Sequence, residues 1–289
     1  MARWEPEVQN YFGFPEGIAG EELLARGNRQ ACQYGMEWRE DEITAARKTG
    51  DLFYLTGSEG EYQSRRLLIA TGIYHLPPKI EGVDECLGRS MFFCKDCDGV
   101  RVLGKTILIY GWNTEAVEYA LSMLLYSPVV GLVLDGHAPT WGPEHDRWLR
   151  EYTIPVYRQR IVRVERDCSQ LRALVFADGL KVEVDALFTT RGDVYLNQLA
   201  RDLGAMVDEE GQIVVDRCMA TNVKGLYAAG CVTPANCQMI IAAGEGAKAA
   251  QAINRDLFLE SLSQRTLRRF RKQQLEAAET EPAVVPADS

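Results

Sequence analysis

Cys94 and Cys97 stand in a C-x-x-C spacing followed directly by Asp98 and Gly99. That spacing lets two sulfurs form and break a disulfide, the chemistry by which thiols move electrons. Half of a zinc site has the same spacing, and a pair of inert thiols is a third reading, so the rest of the chain must arbitrate. It favours redox chemistry. The sequence has no second C-x-x-C, the other thiols (Cys32, Cys86, Cys168, Cys218, Cys231 and Cys237) are scattered, and three histidines are few for completing a tetrahedral shell.

Composition and periodicity indicate the elements that must position this pair. With 289 residues and 46% hydrophobic content the chain can bury a large core in one or two domains. A net charge of −9 lacks the basic surface that nucleic-acid phosphates require, which argues against nucleic acid as the main partner. No apolar stretch reaches the ~18 residues that span a bilayer. Trp4, Glu5, Pro6 and Glu7 interrupt any signal-peptide centre. The expectation is a cytoplasmic protein with no membrane partner, its cysteines mostly reduced apart from one reactive pair.

Short β-type runs alternate with helical periodicity, the pattern of an α/β fold with crossover helices over a largely parallel sheet. A helix is predicted over 20–34, a strand over 52–56, and a buried strand entering a turn over 67–72. After the break at Pro77-Pro78, 106–111 reads as a strand. A helix with Ala116, Val117, Ala120, Leu121 and Leu124 on one face follows and is ended by Pro128. Further strands are predicted over 129–134, 161–165 paired with 171–176, and 186–190. Residues 224–230 read as a strand running into a glycine turn, and 240–258 as a closely packing, small-residue-rich helix. Beyond Ser261, Arg265, Arg268, Arg269, Arg271 and Lys272 are expected on a solvated helix, and the Glu-, Ala- and Pro-rich end is expected to be disordered.

Five stretches carry a family likeness: Asn10-Tyr11-Phe12-Gly13-Phe14-Pro15-Glu16-Gly17-Ile18, Ala70-Thr71-Gly72, Phe93-Cys94-Lys95-Asp96-Cys97-Asp98-Gly99, the strand and turn over 225–232, and Gln238 before the small-residue helix. In this order they make the chain resemble the low-molecular-weight thioredoxin reductases over roughly residues 4–258. The resemblance implies an α/β chain of two Rossmann-like three-layer dinucleotide-binding domains, the second inserted in the first. It assigns an FAD domain to 1–100 and 218–262 and an NAD(P)-type domain to 101–217, with the C-x-x-C where the insert starts, leaving 263–289 as a basic helix and tail. It also implies a homodimer. FAD would be contacted by Asn10, Ala70, Thr71, Gly72, Gly230, Cys231 and Gln238, with Cys97 facing the flavin and Cys94 attacking a partner. Asp98 is a candidate proton donor and acceptor, because thiolates that leave and return need a nearby acid whose burial raises its pKa toward neutrality. The plainer alternative is a solvated turn carboxylate. Lys95 and Asp96 read as exposed charges that tune docking and thiol acidity.

Four departures from the family pattern reshape the expectation. The G-x-G-x-x-G strand that binds a flavin pyrophosphate would lie before Trp4. A parallel sheet without that strand would leave buried backbone unpaired, so a segment missing at the gene start is expected rather than a shortened fold. Cys231 stands where the family's Ala-Gly-Asp places a carboxylate toward the ribityl chain or pyrophosphate. Gly111-Trp112-Asn113-Thr114 has Asn113 in place of the glycine that lets backbone approach a pyrophosphate, so a dinucleotide site and an ordinary strand–turn–helix both stay open. Trp112 reads as a packing residue or a stacking platform. Asp135 stands about where an acid would contact ribose hydroxyls, although Asp at a strand end is also a turn former, and the stretch 135–139 supplies no arginine for a 2′-phosphate.

The expected function is a flavin-linked disulfide oxidoreductase acting on a thioredoxin-like protein or another disulfide. Its expected donor is not NADPH but NADH, an electron-transfer protein or another bound ring system. The alternative is a non-enzymatic descendant that keeps the fold as a redox-sensing or binding module.

Overall fold

The computed structural model describes residues 5–267; Trp4, Arg268, Arg269, Arg271, Lys272 and the tail read as disordered lie outside the described residues. The chain forms two compact units, residues 5–21 with Ile73–Tyr195, and Glu22–Gly72 with residues 196–267.

Helix α1 (Gly20–Gln33) precedes an antiparallel meander of β1 (Ile43–Thr49), β2 (Leu52–Gly57) and β3 (Glu61–Ser64), after which comes β4 (Leu67–Ile69). The chain then enters the unit that carries the C-x-x-C with β5 (Ile73–His75). Strands β6 (Met91–Phe92), β7 (Ile107–Tyr110), β8 (Val130–Val133) and β9 (Val156–Tyr157) are interleaved with the one-turn helix α2 (Lys95–Asp98), α3 (Thr114–Met123) and α4 (Pro143–Glu151). An antiparallel sheet of β10 (Ile161–Asp167), β11 (Gln170–Phe176) and β12 (Lys181–Glu183) follows. Then β13 (Ala186–Thr189) inserts between β6 and β7, giving a parallel sheet in the order β6-β13-β7-β8-β9.

The physical basis of this unit is burial on both faces of its sheet. β7, β8 and β13 are buried along their whole length, so they read as continuous apolar runs rather than alternating ones. One face packs Ile107, Ile109 and Leu132 with Ala116, Val117, Ala120 and Met123 of α3 and Leu149 of α4. The other packs Leu108, Val133 and Leu187 with Leu171, Leu174 and Phe176 of the antiparallel sheet. Helix, parallel sheet and antiparallel sheet thus make three layers. Each fully buried Leu or Ile contributes about 2 kcal/mol of transfer free energy. β14 (Asp193–Tyr195) closes the unit by pairing antiparallel with β5.

The other unit is completed by α5 (Gln198–Asp202), β15 (Leu226–Ala228) and α6 (Met239–Ser263). β15 lies parallel to β4, Ala228 opposite Ile69. Phe53, Ile69, Ile213, Leu226, Ala228 and Val232 form its core. Arg66, its side chain only 7% exposed, ties α6 down through Asp256 at 2.5 Å and Glu260 at 2.7 Å. The α/β class with Rossmann-like layers agrees with the sequence expectation. At its end the chain departs from it: α6 runs past the expected 240–258, and Arg265 lies beyond the helix in a turn with φ of 56° rather than on a helix.

Candidate active site

Strand β6 delivers the chain to Phe93, and Cys94 then takes an extended backbone as the N-cap of α2. Cys97 lies one turn on. The Cα atoms are 5.3 Å apart and the two sulfurs are bonded. The backbone N–H of Cys97 donates to Cys94 Sγ at 3.1 Å, so the sulfur does the work of a helix cap. On reduction the same N–H favours the charged form of Cys94, lowering the cost of its thiolate. Both cysteines are half-buried, as is Lys95, which pairs with the exposed Asp96 at 2.7 Å.

Asp98 is not the solvated turn carboxylate of the plainer reading; it is 5% exposed. Its Oδ1 accepts from Arg101 Nη1 at 2.7 Å, the same nitrogen donates to Glu5 Oε1 at 3.2 Å, and Nη2 donates to the Gly88 carbonyl at 3.1 Å. Burial pushes the Asp98 carboxyl above the usual range, and Arg101 works against that. Glu5 is raised to about 7, by burial first and then by the charge of Asp98, with Arg101 again opposing. The Asp98–Arg101–Glu5 group can therefore hold a proton near neutral pH, on Glu5, with Asp98 next in sequence to Cys97. Gly99 has a packing reason: a Cβ there would lie 2.6 Å from Cζ of Tyr126.

Sequence reasoning missed Glu5, Arg101, and a second pair. The β5–β14 register sets Asp193 opposite His75. Their side chains bond through Oδ1 and Nδ1, and the His75 ring stacks on Phe93 with centroids 4.6 Å apart, next in sequence to Cys94. No local pattern announces either group.

At the carboxyl ends of β7 and β8 the structure gathers Gly111, Trp112, Asn113, Thr114 and Asp135. A Cβ on Gly111 would meet Thr190 and, at 2.6 Å, Cβ of Ala116, so this glycine serves close helix–strand packing. Asn113 Oδ1 accepts from the Ala116 N–H at 3.0 Å and caps α3, whose first residue is Thr114. The Trp112 carbonyl accepts from the Thr140 N–H at 2.7 Å, and its indole stacks on His137 with centroids 3.8 Å apart. Asp135 accepts from the Tyr110 hydroxyl and from the Ile161 N–H, both at 2.7 Å. Burial, reinforced by that bond, keeps the Tyr110 hydroxyl protonated.

In the other unit β4 and β15 end side by side, the Ala229 N–H donating to the Ile69 carbonyl at 3.0 Å. Ala70-Thr71-Gly72 and Gly230 therefore leave from one carboxyl edge of a parallel pair, the edge at which α/β sheets take ligands. Ala70 and Thr71 are exposed. Gly72, at φ 70°, has no heavy atom within 4 Å of where a Cβ would stand. An open, backbone-lined edge of this kind fits a dinucleotide such as FAD. Gln238 is the N-cap of α6 without a side-chain capping bond. Cys231 is bonded to Cys237, with Cα atoms 4.8 Å apart, which corrects the reading of these thiols as scattered and reduced. Asn10 sits exposed in a loop closed by the Val8–Ile18 bridge, in the unit of the C-x-x-C. Among the described residues no group of three or more His, Cys, Asp or Glu side chains is placed to hold a metal ion, and no helix is long and apolar enough to cross a membrane.

A bonded C-x-x-C with an acid beside it, on Rossmann-like layers, defines a disulfide oxidoreductase. The sequence profile of the family described as pyridine nucleotide-disulphide oxidoreductase matches residues 8–253, and the chain belongs to that family. It is 28% identical over 254 residues to the thioredoxin reductase of Treponema pallidum (strain Nichols), covering 85% of this chain and 81% of that protein. With the thioredoxin reductase of Helicobacter pylori (strain J99) it shares 30% over 260 residues, 86% and 84% of the two chains. The crystal structure of HlmI matches with a TM-score of 0.85 at 25% identity, covering 96% of this chain and 85% of that one. That of a putative thioredoxin reductase from Bacillus anthracis matches at 0.83 and 26%, covering 90% and 88%. The protein is a thioredoxin reductase-like enzyme of the flavin-linked disulfide oxidoreductase class.

Proposed function

We propose that the Cys94–Cys97 disulfide draws two electrons from FAD and hands them to the disulfide of a thioredoxin-like protein, with an ultimate donor other than NADPH. When bound, FAD supplies a ring that carries two electrons to one sulfur. Cys97 is the sulfur that receives them. Its bond to Cys94 breaks, and Cys94 leaves as a thiolate steadied by the Cys97 N–H. Cys94 attacks the partner's disulfide, displacing one partner sulfur as a thiolate. Cys97 then attacks Cys94 Sγ, which releases the partner as a dithiol and restores the pair. Asp98, with Glu5 behind Arg101, holds the proton these thiolates exchange.

The observation that carries this reading is the Cys97 N–H bond to Cys94 Sγ beside a buried acid, because it distinguishes the two sulfurs chemically. Asn10, Ala70, Thr71, Gly72, Gly230, Cys231 and Gln238 are assigned to the FAD side, within flavin segments 1–100 and 218–262 around an insert 101–217. The donor assignment is supported by the insert's own contacts. Asn113 is spent on capping α3, Asp135 on Tyr110 and Ile161, and the Trp112 face on His137. NADH or an electron-transfer protein is the donor this reading assigns, for a homodimer working in the cytoplasm.

The test offers flavin-loaded enzyme an oxidised thioredoxin and measures thiol release with NADPH, NADH, or a dithionite-reduced electron-transfer protein. Release with a donor other than NADPH is expected. Saturable turnover with NADPH alone overturns the donor assignment, and no release with any reductant overturns the partner assignment.

A further inference from the structure

A buried hydroxyl stands against the redox turn and takes no part in the chemistry above. Tyr119, on α3, packs its ring against Phe188 of β13 with centroids 5.9 Å apart. Phe188 packs in turn on Phe92 of β6 at 5.1 Å, two residues before Cys94. Just past the end of α3, Tyr126 covers Gly99 so closely that a Cβ there would lie 2.6 Å from Cζ of the ring. These two tyrosines hold α2 and Gly99 against α3.

The Tyr119 hydroxyl is out of contact with water and, among the described residues, has no hydrogen-bond partner. The Lys95 N–H faces its oxygen outside the geometry of a full bond. Burial first, then the charges of Asp98 and Asp96, raise its pKa; Glu115 on its own helix adds to this and the Lys95 N–H opposes it. Tyr119 is therefore a neutral donor. A hydroxyl that has given up water and gained nothing in return destabilises the oxidised fold, unless another state of the molecule brings it an acceptor. Reduction makes one. Two electrons entering the pair break the S–S bond, and Cys94, adjacent to Lys95 in the chain, becomes a thiolate, a far stronger acceptor than a disulfide sulfur. The Cys97 N–H bond already places Cys94 Sγ at the first turn of α2, the turn whose Lys95 N–H faces Tyr119.

We propose that Tyr119 is a donor held for the reduced state: its hydroxyl donates to the Cys94 thiolate and draws the couple toward the dithiol. The tyrosine keeps its proton and contributes only the hydrogen bond. An unpaired hydroxyl on the oxidised side and a charge-assisted bond on the reduced side move the equilibrium in the same direction. The inference rests on the reading of Cys94 as the sulfur that becomes anionic, and adds a residue that sets its potential.

The experiment equilibrates flavin-loaded, full-length parent and Tyr119→Phe anaerobically with graded mixtures of reduced and oxidised dithiothreitol. Samples are quenched in acid and alkylated, and labels on the peptide carrying Cys94 and Cys97 are counted by mass spectrometry. Dithiothreitol gives up two electrons as it closes to its cyclic disulfide, and its two thiol protons pass to Cys97 and to solvent. Tyr119→Phe should need about tenfold more reduced over oxidised dithiothreitol at its midpoint, a shift of about 30 mV to more negative potential. The pH at which reduced Cys94 becomes reactive toward iodoacetamide should rise by about one unit. Thermal unfolding of the oxidised variant should match or exceed the parent's, because an unpaired hydroxyl has gone. A folded Tyr119→Phe with the parental midpoint and the parental Cys94 titration overturns the proposal. Should that variant not fold, Tyr119→Leu, which also lacks the hydroxyl, decides by the same two readouts. A parental pair that dithiothreitol never opens overturns the function proposed above together with this inference, whereas a pair that opens without regard to Tyr119 leaves that function standing.

Discussion

Asp98 and Arg101 are joined by a 2.7 Å hydrogen bond with both side chains nearly out of water, 6% and 14% exposed. A buried carboxylate beside a guanidinium feels two opposed effects, desolvation raising its pKa and the neighbouring charge lowering it. Desolvation is the larger here, so the carboxyl stands above its usual range. The pairing keeps Asp98 in place while leaving it able to take up a proton, next in sequence to Cys97 and one turn from Cys94.

Asp98→Asn removes that proton site and keeps the size and an acceptor for Arg101. We expect kcat to fall by about 10²-fold or more, with thermal unfolding little changed, and the acidic limb of the pH–rate profile to disappear. A profile that keeps this limb removes Asp98 from the proton path.

Glu5 carries a stability signature that can be read separately. Its folded pKa, about 7, lies above the ordinary 4.5, so the folded state holds the proton more tightly than the unfolded state does. Its contribution is fully present below about pH 4.5 and is lost as pH rises to about 7, levelling off above. Glu5→Gln cannot ionise. Its stability relative to the parent should climb across that window, by at most about 3 kcal/mol before solvent screening. Parallel denaturation curves at every pH would contradict this assignment.

Asn113 distinguishes a cap from a ligand contact. Asn113→Ala should cost about 1 kcal/mol of stability, and Asn113→Asp should recover most of it, with the KM for the working donor unchanged in both. A rise in KM at unaltered stability would return Asn113 to a dinucleotide site.

Cys94→Ser should lower thiol release from an oxidised thioredoxin by about 10³-fold or more, because the hydroxyl is no nucleophile at neutral pH without a strong base. Cys97 then remains as one alkylatable thiol in the peptide. Turnover at the parental rate would reassign the attacking sulfur.

The sequence was most legible where burial dictates composition. The runs around Ile107, Val130 and Ala186 are apolar along their length because both faces of the strand are covered, so their strand type and place in the chain followed directly, while the order β6-β13-β7-β8-β9 did not. β1 was not legible. Its Ala45, Ala46, Arg47 and Lys48 have weak β preference, and it forms because β2 pairs with it. α4 escaped for a related reason, burying only Leu149 among polar residues. The C-x-x-C announced itself by spacing, whereas Cys231–Cys237 has no such signature. The Glu5–Arg101 contact, spanning 96 positions, and the His75–Asp193 bond, spanning 118, exist only once the chain is folded.

Electron exchange between FAD and the Cys94–Cys97 pair is tested most directly by an anaerobic dithionite titration of the flavin-loaded enzyme. A disulfide is a two-electron couple, so the parent should consume two more electrons per chain than the Cys94→Ser/Cys97→Ser variant before dithionite accumulates. Equal consumption by the two proteins would show that these sulfurs do not communicate with the flavin.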